Sequence, residues 1–191
     1  MFEPLFSQRL TTVAVLRSGP LETCPSDVTK MRPKGGSQMS KANYRKSIEV
    51  TSHASAAFDA VTLGVEHWWT KPDQPLRKIG DRAKFGFPPG RSYWTFELVD
   101  AVRPHRVVWH CVDALHIHQG QPKEIETEWL GTTLEWGIVE TGNCTIVTFE
   151  HCGLTPQLLC YDVCETGWDI FFLGSLKAYL DTGKGAPHQV S

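Results

Sequence analysis

The sequence predicts an α+β domain in which a curved antiparallel β-sheet wraps around a long C-terminal α-helix, with two short helices after the first strand. Segments between residues 82 and 151 alternate apolar and polar side chains, as the strands of an antiparallel sheet do. A later segment, from about Glu165 to Asp181, repeats apolar residues at helical spacing. Because the sheet and the helix each have one apolar face, the sheet must curve around the helix to bury both faces.

The N-terminal elements begin with a strand. Tyr44–Val50 alternates apolar and polar residues, which indicates a half-buried strand. Ser52 or Ser55 can cap the helix that follows and runs to Gly64, and a second short turn is predicted over residues 65–69. Strands with aromatic side chains on one face, separated by proline-containing turns, are then predicted over residues 82–87, 93–99 and 106–112.

The C-terminal half begins with a polar loop over residues 113–123. Thr132–Val139 and Thr145–His151 alternate in the same way around a turn at residues 141–143, which predicts a hairpin. Gly183 ends the final helix. The apolar face of that helix is predicted to consist of Trp168, Phe171, Phe172, Ser175, Leu176, Tyr179 and Leu180.

The charge balance excludes several classes of partner. The chain has 191 residues, with 19 Lys and Arg against 21 Asp and Glu, so no excess of positive charge exists to hold a nucleic acid or an anionic membrane. No apolar run approaches the length of a membrane-spanning helix. We therefore expect a cytoplasmic protein whose partner is a small molecule.

The first 40 residues differ in composition from the rest. They contain turn and linker sequences such as Gly19-Pro20 and the run from Arg32 to Ser37. We predict a poorly ordered leader over residues 1–40, with Met39 as an alternative start and a transit peptide as a further alternative. The folded, ligand-binding domain is predicted over residues 41–187.

The aromatic residues suggest a ligand cavity. All seven Trp lie between residues 68 and 168, and strand alternation places three of them, Trp94, Trp109 and Trp136, on the apolar face of the sheet. A curved sheet around a helix tends to leave a gap that a ligand can enter, although the same residues can simply form the core. The predicted lining consists of Trp68, Phe85, Phe87, Trp94, Phe96, Trp109, Trp136, Phe149, His151, Trp168 and Phe172.

Catalytic motifs are absent from the sequence, and two residues are weak catalytic candidates. His151 shares a strand face with Val147 and Phe149, where an imidazole could act as an acid or base. Tyr93 is the second candidate. The simpler interpretation of His151 is a core histidine that is hydrogen-bonded to backbone at the end of its strand.

Metal and redox sites are not predicted. His116 and His118, with His110 upstream, could present imidazoles to a metal, but they are expected to be exposed loop residues. Cys160 and Cys164 stand four residues apart and not in a Cys-x-x-Cys pair, so we expect a structural role for both. An alternating acidic segment, Glu124, Glu126 and Glu128, is interpreted as a solvated edge, with a general-base pair as the alternative. No cofactor is expected.

Several spaced elements together resemble a known superfamily. The residues are Ala54–Leu63 with the Trp68-Trp69 pair, Gly80 with Phe85, Val99 to Trp109, Thr145 to Leu154, Gly167-Trp168, and Leu173 to Gly185. Over residues 44–186 this pattern resembles the SRPBCC (START/birch-allergen-like helix-grip) superfamily, in the branch of the activator of the heat-shock-protein-90 ATPase. The resemblance implies a helix-grip fold. It leaves function open, because this superfamily uses one cavity for lipid binding, polyketide cyclisation, hormone sensing and chaperone contact.

Three functions follow as hypotheses. The first is binding of a small apolar, aromatic or lipid-like ligand without covalent catalysis. The second is a polyketide cyclase or aromatase-like enzyme in which His151 and Tyr93 promote enolisation. The third, ranked last, is a co-chaperone-like interaction module. A homodimer through an unpaired strand edge is a further expectation.

Overall fold

A computed structural model describes residues 42–189, and the predicted leader with its alternative start lies outside these residues. The described residues form one six-stranded antiparallel sheet with the strand order β1-β6-β5-β4-β3-β2. This architecture confirms the predicted α+β fold class. The strands are β1 Tyr44–Val50, β2 Arg82–Gly86, β3 Tyr93–Val102, β4 Arg106–Leu115, β5 Thr133–Thr141 and β6 Cys144–Cys152.

The inner face of the sheet carries the apolar residues of each alternation. In β3, Trp94, Phe96 and Leu98 are buried while the residues between them are partly exposed. The pairing of β3 with β4 shifts register twice, after Thr95 and after Leu98. Such irregularities bend a strand and increase its twist. The sheet can therefore curve over the C-terminal helix.

Helix α1, Ala54–Ala60, follows β1 and leads into a 3₁₀ helix at Val65–His67. The predicted serine cap is wrong, because His53 is the N-cap residue and its side chain does not cap the helix. The backbone N–H of Ala54 instead donates to a carboxylate oxygen of Glu140 at 2.8 Å. An acidic side chain from β5 therefore supplies the hydrogen bond that a capping residue normally provides.

The C-terminal helix begins four residues earlier than predicted and has three parts. Its α-helical ends are α2, Tyr161–Trp168, and α3, Lys177–Thr182, with a π-helical stretch at Asp169–Leu176 between them. Gly183, in the left-handed conformation, ends the helix as predicted. None of the helices within residues 42–189 has the length and apolar character that crossing a bilayer would require.

Hydrogen bonds connect this helix to the sheet and to the tail that follows it. The Tyr44 hydroxyl of β1 donates to the Asp169 carboxylate at 2.7 Å. The tail after the helix folds back, where the Ala186 N–H donates to Ser175 Oγ at 2.7 Å and the His188 N–H donates to the Trp69 carbonyl at 2.7 Å. The first bond joins the helix to β1, and the other two join the tail to the helix and to the segment after the 3₁₀ helix.

Candidate functional site

A cleft of about 710 Å³ opens between the N-terminal part of the C-terminal helix and one end of the sheet. Its volume lies within the range of small-molecule sites. The lining comprises Trp69, Phe87, Gly90, Ser92, Trp94, His116, Ile117, His118, Trp129, Asp162, Val163, Cys164, Thr166, Gly167, Trp168, Ile170 and Phe171. Two further grooves, of about 560 and 410 Å³, flank α1 and include charged residues such as Asp59.

The walls of the cleft are largely aromatic. Trp129 and Trp168 stack with ring planes 12° apart and centroids 5.8 Å apart, and Trp94 lies 4.6 Å from Trp129. At the rim, Ser92 Oγ donates to the Ile117 carbonyl and accepts the Ile117 N–H, at 2.8 and 2.9 Å. This pair of hydrogen bonds joins the β2–β3 loop to the segment after β4. The cleft therefore has packed aromatic walls and a rim that is joined by two hydrogen bonds.

The predicted lining divides into two groups. Phe87, Trp94 and Trp168 lie in the cleft wall. The other predicted residues lie in the packed core of the domain and do not line the cleft: Trp68, Phe85, Phe96, Trp109, Trp136, Phe149, His151 and Phe172. Strand alternation correctly predicted which residues lie on the inner face of the sheet. It could not predict which of them lie near the cleft and which lie in the packed core.

The predicted lining residues that lie in the core pack their aromatic rings against one another. Phe85 stacks on Trp109 with centroids 5.2 Å apart, Trp109 lies 4.5 Å from Trp136, and Trp136 stacks on Phe149 at 5.1 Å. Trp69 joins this group to the cleft, 5.0 Å from Phe85. The aromatic residues therefore fill the middle of the domain, and the space is left at one end.

His151 lies in the middle of a series of buried hydrogen bonds that runs from Trp168 to the Trp129 carbonyl. The Trp168 indole N–H donates to His151 Nδ1 at 3.1 Å, so Nε2 carries the proton and donates to Thr132 Oγ1 at 2.9 Å. The Thr132 hydroxyl in turn donates to the Trp129 carbonyl at 2.7 Å. Burial lowers the pKa of His151 to about 3. The imidazole is neutral near pH 7, and both of its nitrogens are occupied.

Tyr93 and His151 are on opposite faces of the sheet. Tyr93 lies at the start of β3 on the outer face, with Lys84 Nζ 3.5 Å from the centre of its ring. Partial desolvation and the neighbouring Asp113 carboxylate raise the pKa of the Tyr93 hydroxyl. The structure therefore does not bring the two catalytic candidates together.

A cluster that the sequence did not indicate lies beside the cleft, and two of its three residues, His116 and Cys164, line the wall. His116, Cys160 and Cys164 are all buried, and one ligand atom of each lies within 4.8 Å of those of the other two. The expectation of an exposed loop histidine is wrong for His116, which is 5% exposed, although His118 is exposed. β4 extends to Leu115, past its predicted end, and so carries His116 under the segment that follows, where its N–H donates to the Glu126 carbonyl at 2.9 Å.

The acidic segment is folded differently from its prediction. Residues Lys123–Thr127 form a 3₁₀ helix and not an extended edge. The Glu128 carboxylate accepts the N–H groups of Leu159 and Cys160 at 3.0 and 2.8 Å. It thereby satisfies two backbone donors in the residues that directly precede α2. This contact fixes the position of Cys160.

The two thiols have different environments. Cys160 directly precedes α2 and Cys164 lies in its first turn, so their spacing of four places both on one face. Hydrogen bonds from Cys160, His116 and the Trp129 indole, the last at 3.2 Å, favour a thiolate at Cys164 and lower its pKa to about 6. The pKa of Cys160 is raised, because its proton is shared with Cys164 and its surroundings are buried.

Comparison with known proteins identifies solved structures that share this fold. No protein-family model and no curated protein sequence matches the chain, but solved structures do. The fold is the helix-grip fold of SRPBCC proteins, as the sequence resemblance implied. Within that class the chain is similar to the Aha1 dimer from Colwellia psychrerythraea, with 25% identity, 75% of this chain and 99% of the other covered, and a TM-score of 0.60.

Two more distant structures share the fold alone. DynU16, a putative protein in the dynemicin biosynthetic locus, is 20% identical over 74% of this chain and 48% of its own, with a TM-score of 0.56. This chain thus spans about half the length of DynU16. MLL2253 from Mesorhizobium loti is 18% identical over 68% of this chain and 92% of its own, with a TM-score of 0.53.

Proposed function

We propose that the protein binds a small apolar or aromatic ligand in the cleft between the C-terminal helix and the ends of β3 and β4. One observation carries the proposal: the parallel faces of Trp129 and Trp168, with Trp94 beside them, border a space of about 710 Å³. Flat aromatic surfaces that are already fixed lose little entropy when a ligand stacks on them.

The polar groups around the cleft are few, which favours a ligand that is mostly apolar. His116 is buried in the wall, while His118 and Asp162 lie exposed near the entrance. Such an arrangement orients one polar end of a ligand and leaves its apolar body among the indoles. The proposal includes a cytoplasmic location, a leader over residues 1–40 and a binding domain over residues 41–187.

The cyclase alternative has less support. Its candidate base, His151, has both ring nitrogens in hydrogen bonds, and Tyr93 lies on the other face of the sheet. Chaperone contact, which the sequence resemblance implies, is tested by affinity capture of a chaperone ATPase. Homodimer formation is part of the proposal because the Colwellia protein is a dimer, and light scattering on the purified chain tests it.

Filling the cleft tests the binding proposal directly. Gly167 lines the cleft, and a Cβ atom at this position would meet no described atom within 4 Å. Gly167→Leu should therefore fold normally, gain helix propensity and block the site. An environment-sensitive hydrophobic dye is titrated into the wild type and the variant, and aromatic and fatty-acid competitors are then added.

The matched control is Gly174→Leu, which makes the same change at an exposed position of the same helix. We expect saturable, competable dye binding to the wild type and the control, and at least a roughly tenfold loss in Gly167→Leu, the equivalent of one lost stacking contact. Equal binding by all three proteins would place the dye elsewhere and reject the cleft as the site.

A further inference from the structure

Three buried residues beside the cleft have the composition of a metal site. His116 follows β4, Cys160 precedes α2 and Cys164 lies in the first turn of α2, so two separate parts of the fold bring one imidazole and two thiols together. All three side chains are buried. Imidazole and thiol groups are the ligands that zinc uses in proteins, whereas calcium and magnesium prefer oxygen ligands.

The distances suit a tetrahedral ion. Zn–S bonds of about 2.3 Å and Zn–N bonds of about 2.0 Å place neighbouring ligand atoms roughly 3.5 to 3.8 Å apart. Here His116 Nδ1 lies 4.0 Å from Cys164 Sγ, and all three ligand atoms lie within 4.8 Å of one another. Shifts of about 1 Å or less, within the reach of small side-chain rotations, would close the site around an ion.

The backbone on both sides of the cluster is already fixed. The His116 N–H is bound by the Glu126 carbonyl, and the Cys160 N–H is bound by the Glu128 carboxylate. The Trp129 indole N–H points at Cys164 Sγ from 3.2 Å, as an outer-shell donor to a metal-bound thiolate does. A site prepared in this way loses little conformational entropy when it binds an ion.

Charge balance favours a divalent ion. Two thiolates and one neutral imidazole carry a charge of −2, which a divalent cation neutralises in a place where unpaired charge is costly. A monovalent ion would leave one negative charge buried. Any thiol proton still present on the two cysteines leaves to solvent when the ion binds, so the exchange is balanced without a redox partner.

We propose that His116, Cys160 and Cys164 bind one Zn²⁺ ion, with its remaining coordination position accessible from the cleft. His116 and Cys164 are themselves lining residues of that cleft. Three protein ligands with one open position are typical of zinc sites that bind water or a ligand atom. The ion site stands independently of the apolar-ligand proposal, because zinc binding is measured without any organic ligand.

Metal binding by the full chain tests the proposal. The reduced, chelator-treated protein is titrated with Zn²⁺ against a competing chromophoric chelator, and separately with Co²⁺, whose thiolate charge-transfer and visible bands report sulfur ligands in tetrahedral geometry. We expect one ion per chain and both bands. Cys160→Ser, Cys164→Ser and His116→Gln should each lower zinc affinity by at least about a hundredfold.

Matched controls separate this site from general thiol or imidazole binding. Cys152→Ser removes a free thiol on β6, and His110→Gln removes a partly exposed imidazole of β4 that does not line the cleft, and neither should change the affinity. Trp129→Phe keeps all three ligands and should weaken binding by about 10–100-fold through the lost indole N–H. Circular dichroism checks that each variant is folded.

Three results would overturn the proposal. The first is a reduced wild type that binds no zinc stoichiometrically. The second is a cobalt complex without a thiolate charge-transfer band. The third is an affinity that falls in Cys152→Ser or His110→Gln as much as in the three ligand variants.

Discussion

Replacing His151 with Gln tests whether the buried imidazole is neutral in the folded protein. Burial lowers the pKa of His151 to about 3 from its ordinary value of 6.5. The same group in the unfolded chain takes up a proton near pH 6.5. The stability that neutral His151 contributes is therefore complete above pH 6.5 and is lost as the pH falls toward 3.

The magnitude follows from one proton bound by the unfolded chain and not by the folded one. The free energy of unfolding should fall by about 1.4 kcal/mol per pH unit through this range, or roughly 2.5 kcal/mol between pH 6.5 and pH 4.5. Glutamine can keep a donor toward Thr132 and an acceptor toward the Trp168 indole, but it does not titrate. The difference in the free energy of unfolding between the two proteins reports the titration of His151 alone, because the other histidines and the carboxylates are common to both.

Urea unfolding, from about pH 7 down to about pH 4.5, measures this difference. The wild type should lose stability relative to His151→Gln on acidification, so the two free-energy profiles converge or cross. Parallel profiles across the whole range would mean that His151 titrates alike in the folded and unfolded chains, and the buried neutral imidazole would be refuted.

Four other substitutions test the core, the cleft and the contact between helix and sheet separately. Thr132→Val removes the acceptor of the His151 Nε2–H and should cost about 1–3 kcal/mol in urea unfolding, because a buried donor is left unsatisfied; no loss would mean that the hydrogen bond is absent. Trp109→Ala should cost about 3–5 kcal/mol, since its ring is fully packed, and a cost below about 1 kcal/mol would indicate an empty interior around it. Phe171→Ala, at the cleft wall, should weaken dye binding more than it lowers the melting temperature, and the reverse result would make Phe171 a core residue. Tyr44→Phe should cost about 1–2 kcal/mol through the lost hydrogen bond to the helix, and a variant as stable as the wild type would show that this bond contributes nothing.

Local sequence periodicity was sufficient to predict the fold. Tyr44–Val50 has the same bounds in the sequence prediction and in the structure, because its alternation is regular and both flanks break it. The C-terminal helix was predicted too short, since residues 161–164 show little apolar periodicity and are held in helix by packing and by the Glu128 carboxylate. The cap of α1 was missed because its partner, Glu140, lies 86 residues away.

The candidate site was only partly predictable. Strand alternation shows which face a residue occupies, but the difference between Trp94 in the cleft and Trp109 in the core depends on where the helix crosses the sheet. Trp129 could have been recognised as a buried residue, because it is a large apolar side chain that follows an acidic segment. The cluster of His116 with two cysteines could not have been recognised, because its members are joined by tertiary packing across 48 residues.

The seven indole N–H groups provide the most direct test of the cleft as the binding site. In ¹H–¹⁵N spectra of the protein titrated with an apolar aromatic ligand, the indole signals of the cleft residues Trp94, Trp129 and Trp168 should shift. The signals of Trp109 and Trp136, which lie in the packed core, should stay in place. Saturable shifts of the core pair with the cleft signals unchanged would contradict binding in the cleft.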